Sequence, residues 1–138
     1  MNKVRGYIFS RSFMGERVPQ HIQNLVIRDY CDRHQFQYLL SATEYAMKEC
    51  YSILEQVLND LAAVDGVVAY SLFQLPEAGA ERQRVYERVL GAGKGLYFAV
   101  EGLSMTDAVG CDLIETIWRI RQTLPHCQSA LISYLEFT

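Results

Sequence analysis

Short apolar runs alternate with longer amphipathic stretches along the whole chain. The run 4–10, built on Val4, Tyr7, Ile8 and Phe9, predicts a strand that ends abruptly in Ser10 and Arg11. Residues 12–17 form a polar loop with Gly15 as its flexible point. Pro19 suits the first turn of a helix, where its missing N–H has no partner to lose. That helix is predicted over 18–33, with Ile22, Leu25, Val26 and Tyr30 at helical spacing and Gln20, Gln23, Asn24 and Arg28 on the other faces. A second strand covers 36–40, and a helix over 46–63 follows from Met47, Cys50, Leu54, Val57, Leu58 and Leu61. Asp65-Gly66 is a turn. The almost wholly apolar stretch 67–72 reads as a strand buried on both faces, as in the middle of a parallel sheet. After Pro76 a helix is predicted over 77–90, with Arg82, Arg84 and Arg88 exposed and Val85 and Val89 turned inward. Glycines 91, 93 and 95 stop it, and 96–100 is a fourth strand. Ser104 and Asp107 resemble a capping pair for a helix that runs to Leu124, before Pro125, and 130–137 reads as an edge strand.

Strands alternating with helices predict one α/β domain over residues 1–138, a three-layer sandwich with a mostly parallel five-stranded sheet. With half of its 138 residues hydrophobic, the chain can bury a core without staples. A formal net charge of -3 argues against broad attraction to nucleic acid or to an anionic membrane. No apolar run approaches the roughly 18 residues of a membrane span, and the expectation is a cytoplasmic protein. The four cysteines, Cys31, Cys50, Cys111 and Cys127, lack the spacing of a zinc site or a disulfide framework and read as small hydrophobes. No histidine pair has ligand spacing, so neither a metal nor another cofactor is expected.

In an open parallel sheet, ligands bind outside the carboxyl ends of the strands. Those ends are Ser10-Arg11 after the first strand, Ser41, Thr43 and Glu44 after the second, Ser71 and Gln74 after the third, and Glu101 after the fourth. Arg17 and His21 join from the first loop and the helix behind it. Arg11 and Arg17 form a candidate anion clamp, because guanidinium forks match carboxylate and phosphate oxygens. Glu44 and Glu101 are candidates for proton transfer if burial separates their pKa values. Tyr45 and Tyr70 could stack on a ring or donate a proton, Tyr45, Ser10 and Ser71 could orient hydroxyls, with Tyr45 and Ser10 counted among the catalytic candidates, and Ser41, Thr43 and Gln74 are candidate binding residues.

Two families share these residues. The run from Gly6 through Ser10, the stretch Gln20–Cys31 and the strand 65–72 resemble the catalytic domain of serine recombinases, which implies a resolvase-like, flavodoxin-like fold. That family's first strand carries Tyr-x-Arg-x-Ser, but here Phe9 stands in the arginine place and Arg11 in the serine place. Its third strand is followed by Asp-Arg-Leu-x-Arg, but here Phe73-Gln74-Leu75-Pro76-Glu77 supplies neither arginine. A serine attacking a phosphodiester needs those cations to hold the developing charge. Five stretches, 5–11, 17–31, 39–47, 69–76 and 98–101, are similar to the small "sporadic carbohydrate cluster" proteins of bacterial surface-polysaccharide and lipopolysaccharide gene clusters.

The resemblance implies a setting in carbohydrate biosynthesis. With the rim residues it leads to the expectation of a protein that binds or transforms an anionic sugar, such as a sugar phosphate or nucleotide sugar, by isomerase-, epimerase- or lyase-type chemistry. The alternative is a non-catalytic binding or scaffold protein on a resolvase-like fold. A DNA-processing domain is ranked last. The helix carrying Val109, Leu113, Ile117 and Ile120 is a candidate face for a homodimer.

Overall fold

A computed structural model describes residues 2–136, with side chains through Thr123. The sheet has the order β2-β1-β3-β4-β5. Its strands are β1 (Lys3–Phe9), β2 (Gln37–Glu44), β3 (Gly66–Ala69), β4 (Gly95–Phe98) and β5 (Leu103–Met105). The first four are parallel, so their carboxyl ends share one edge, and β5 returns antiparallel to β4. Helix α1 (Gln20–Arg33) covers one face. Helices α2 (Ser52–Asn59), α3 (Gly79–Gly91) and α4 (Ala108–Glu136) cover the other, giving the expected three layers.

The alternation of β1 divides the core. Val4 and Ile8 pack under α1 with Ile27, Tyr30 and Cys31, while Tyr7 and Phe9 face Leu54, Leu58, Val85 and Trp118. All of β3 is buried, as a central strand must be. Gly6 sits where the β1–β2 register shifts, and a Cβ there would collide with the Ser41 side chain. The irregular step in β2 therefore requires glycine opposite it.

Several predicted elements differ. The polar segment Ser41–Glu44 belongs to β2, whose outer edge is open, so polar side chains are tolerated there. Residues 46–51 are not helical, because α2 starts only at Ser52, where a buried carboxylate caps it. Helix α1 turns Gln23 inward and leaves Ile22 and Leu25 exposed. Arg82 is buried rather than exposed, since its guanidinium meets Glu115 of α4. Asp107 does cap α4, accepting from Gly110 N–H at 2.9 Å, but Ser104 lies in β5.

The fifth strand is Leu103–Met105, entered through Gly102 at φ 66°, where a residue with a side chain would be strained. The predicted strand 130–137 is absent as far as Glu136: α4 continues through Pro125, and Phe137 lies outside the described residues. Val109, Leu113 and Ile120 leave an exposed apolar stripe on α4. Among the described residues no helix is long and apolar enough to cross a membrane.

Candidate functional site

The four parallel strand ends meet above the sheet, and the loops behind them build two adjacent clefts. The first, of about 520 Å³, is walled by Phe9, Phe13, Tyr51 and Phe73, with Arg11 at its base. The second, of about 210 Å³, is lined by Tyr70, Glu101, Glu16 and Arg121. Phe13, Met14 and Phe73 border both. The wall between them is a two-residue turn in which Phe13 and Glu16 exchange backbone hydrogen bonds of 2.9 Å each way. Met14 (φ 50°) and Gly15 (φ 78°) both take positive φ, the conformation of a tight hairpin turn. Phe13 plants this turn on the body by edge-to-face contacts with Phe9 and Tyr70.

Arg11 is tied to the backbone through one nitrogen of its guanidinium. Its Nη1 group donates to the carbonyl oxygens of Tyr45 (2.7 Å), Met47 (3.0 Å) and Cys50 (2.9 Å). The guanidinium also lies over the Phe9 ring at 4.3 Å and the Tyr51 ring at 5.0 Å. It therefore fastens the irregular segment between β2 and α2 to the end of β1. Arg17 is exposed and lines neither cleft, and His21 is exposed on α1, so the expected clamp does not assemble.

Glu44 is fully buried and saturated. Its two carboxylate oxygens accept from Tyr45 N–H (3.1 Å), Ile53 N–H (3.1 Å), Leu54 N–H (2.9 Å) and the Tyr7 hydroxyl (2.9 Å). Two of these donors are first-turn amides of α2, where a negative charge also suits the helix dipole. Burial, followed by the charge and hydrogen bond of Glu44, holds the Tyr7 phenol well above its ordinary pKa. Ser10 donates to the Glu44 carbonyl at 2.5 Å, while Tyr45 stands half exposed outside. These contacts give Glu44 and Ser10 the task of joining β1, β2 and α2.

Glu101 lies on the far side of the sheet edge, three strand spacings or roughly 14 Å from Glu44. One of its oxygens accepts from the Ser71 hydroxyl (2.6 Å) and Leu72 N–H (2.8 Å); the other is buried without a partner. Burial raises its pKa above the usual carboxylate range, against the pull of the Ser71 and Leu72 hydrogen bonds. Tyr70 stands beside it, its phenol raised by burial and then by the charges of Glu16 and Glu101. The two carboxylates thus share no cavity, and the expected acid–base pair is not brought together.

Ser41 hydrogen-bonds the Tyr38 hydroxyl at 2.6 Å within β2, and Thr43 is half-buried in the same strand, so neither reaches the clefts. Ser71 and Gln74 form a capping box on the short 3-10 turn Leu72–Gln74. Gln74 then donates to Gln23 Oε1 at 2.8 Å. Gln23, which helical spacing set on a polar face, is instead buried as the knot of the edge: it accepts from Phe9 N–H (3.0 Å) and donates to the carbonyls of Phe9 (2.9 Å) and Val18 (2.8 Å). Every polar valence of its amide is used.

The carboxylates of the first cleft, Glu49, Glu77 and Glu81, were also missed, because they lie beyond the strand tips in loops and in the first turn of α3. Among the described residues no group of His, Cys, Asp and Glu is placed to hold a metal ion. Cys31 is buried, its thiol pushed up to about 11 by that burial.

No family model matches the chain, and no curated protein matches it by sequence. Solved structures do. A resolvase family site-specific recombinase from Streptococcus pneumoniae superposes with a TM-score of 0.63 at 10% identity, over 96% of this chain and 97% of that one. The fold is that of the resolvase-type catalytic domain. The N-terminal catalytic domain of TP901-1 integrase also matches, with a TM-score of 0.55 at 16% identity, over 92% of this chain and 98% of the other.

This resolvase-type fold corrects the carbohydrate expectation. Two solved structures that share the fold from end to end are a site-specific recombinase and an integrase catalytic domain, and they stand with the reading ranked last rather than with the sugar reading. The cations assigned to a sugar anion are meanwhile either spent on backbone carbonyls or set apart on the surface.

Proposed function

We propose that this chain is a resolvase-type domain that works by binding a partner rather than by cutting DNA. One observation carries the reading: the place where recombinases put the nucleophilic serine holds Arg11, and its guanidinium is committed to three backbone carbonyls. Ser10, the neighbouring hydroxyl, donates to a backbone carbonyl, and none of its hydrogen-bond partners is a general base. The cations that would steady a pentavalent phosphate are absent after β3, where Phe73, Gln74 and Glu77 stand. The binding site is the larger cleft at the strand ends. The exposed stripe of α4 offers a second surface, for another copy of the chain.

A second reading, DNA strand cleavage, is favoured by the end-to-end likeness to the two recombinase-type structures. Incubation with supercoiled plasmid, followed by denaturing electrophoresis, separates the two. The binding reading expects no nicking and no covalent protein–DNA species. A covalent adduct that disappears in Ser10→Ala would replace it with the second reading.

A further inference from the structure

The larger cleft carries an electrostatic signature opposite to the one expected of it. Glu49, Glu77 and Glu81 border it, against Lys48 and Arg11. The ion pairs of the described residues join Arg33 to Asp29, Arg82 to Glu115 and Arg88 to Glu55, so none of the three cleft carboxylates has a cation within 4.0 Å. Burial raises the Tyr51 phenol, the Arg11 hydrogen bond and charge pull it down, and the charges of Glu77 and Glu81 push it up again. Arg11 and Lys48 offset two of the three negative charges, which leaves these five lining residues with a net charge of -1, and the Arg11 guanidinium lies over the Phe9 and Tyr51 rings. Four aromatic rings line the same cleft: Phe9, Phe13, Tyr51 and Phe73.

Arg11 also demonstrates what these rings accept. Its guanidinium is stacked over Phe9 and Tyr51 at 4.3 and 5.0 Å. A flat delocalised cation gains from a ring face and gives up less hydration than an ammonium, so it suits a cleft lined by both aromatic rings and carboxylates. The volume, about 520 Å³, is that of a small-molecule or side-chain site.

We propose that this cleft receives a planar organic cation, a guanidinium or amidinium group, seated between Phe13 and Phe73 and facing Glu49, Glu77 and Glu81. The inference rests on the reading of the chain as a binding domain and names the chemistry of its ligand. The cation can come from a free small molecule or from an arginine side chain of a partner.

The test uses three probes of one shape and different charge: benzamidine, benzamide and benzoate, titrated into the whole chain by ligand-observed NMR. Saturable binding of benzamidine is expected, with weaker binding of benzamide and none of benzoate. Glu77→Gln combined with Glu81→Gln should weaken benzamidine about fivefold or more and leave benzamide unchanged, since each exposed pair adds only a modest increment. Both sites are exposed, so the double variant should melt like the parent.

Agmatine and acetyl-Gly-Arg-Gly-amide then separate the two sources, by whichever displaces benzamidine at lower concentration. Benzoate binding at least as tightly as benzamidine, or benzamidine binding unaffected in the double variant, overturns the cation assignment and leaves the binding reading in place. No binding of any probe overturns it as well. The binding reading itself falls only on DNA cleavage, which these titrations do not measure.

Discussion

Arg82 of α3 and Glu115 of α4 meet in a two-pronged ion pair, Nε to Oε1 at 2.7 Å and Nη2 to Oε2 at 3.0 Å. The guanidinium is almost fully buried, lies 4.4 Å from the centre of the Trp118 ring, and also donates to the carbonyls of Pro76 and Glu77. The Tyr86 hydroxyl donates to the same carboxylate at 2.7 Å. Glu115→Gln should destabilise the fold by about 3 kcal/mol, because it leaves a buried cation without its counter-charge. Arg82→Met combined with Glu115→Leu should recover much of that loss. Urea unfolding of Glu115→Gln and of the double variant measures both quantities.

Glu115 and Glu101 should give opposite pH dependence. The hydrogen bond from Arg82 holds the Glu115 pKa below its ordinary value. Its stabilisation is therefore present above the ordinary carboxylate pKa and is lost as pH falls through the depressed one. Burial raises the Glu101 pKa, so the folded state takes up that proton first. Stability then falls as pH rises from the ordinary carboxylate pKa through the raised one. Relative to Glu101→Gln, the parent should gain stability as pH falls from neutral toward the ordinary carboxylate pKa, measured by urea melts along that range.

Gln23 should matter far more than its neighbours on α1. Gln23→Leu leaves the Phe9 N–H and carbonyl and the Gln74 amide without their partner, a cost of about 3 kcal/mol. The exposed Gln20→Ala should change stability by less than about 0.5 kcal/mol. Thermal melts of the two variants side by side check the contrast.

The α4 stripe predicts concentration-dependent self-association. Val109 and Leu113 are 75% and 47% exposed, and Ile120 is 56% exposed, on one side of a helix whose other side carries buried Ile114 and Trp118. Sedimentation velocity should show a dimer that Leu113→Glu shifts to monomer, and at dilutions where the parent is also monomeric the two should melt alike.

The layered fold and the shared strand edge were legible because β3 and β4 lie in continuous apolar runs and because α1 follows Pro19 and α3 ends at Gly91. What misled was local. Leu103-Ser104-Met105 is too short to show a strand period, and only pairing with Leu96–Phe98 makes it one. The strand expected at 130–137 hid a helical signal, since Leu113, Ile117, Ile120, Leu124, Cys127, Leu131 and Tyr134 keep strict three-and-four spacing. Arg82 shares helical spacing with Val85, Tyr86 and Val89, which marks it as inward, but an arginine is read as exposed unless its partner is known. The site was harder. Strand tips identify which residues stand near the edge, but whether Arg11, Glu44 and Gln23 face a ligand or the backbone depends on the loops between them. Sequence distance hides those hydrogen-bond partners.

Hydrogen exchange of Arg11→Ala against the parent tests the central claim most directly. Losing this clamp should free the 45–51 segment, with faster amide exchange there and a loss of about 2 kcal/mol, from hydrogen bonds made by a charged group. Unchanged exchange across 45–51 and an unchanged melting temperature would contradict it. Arg11 would then be a cation held in reserve for a ligand rather than a fastener of the fold.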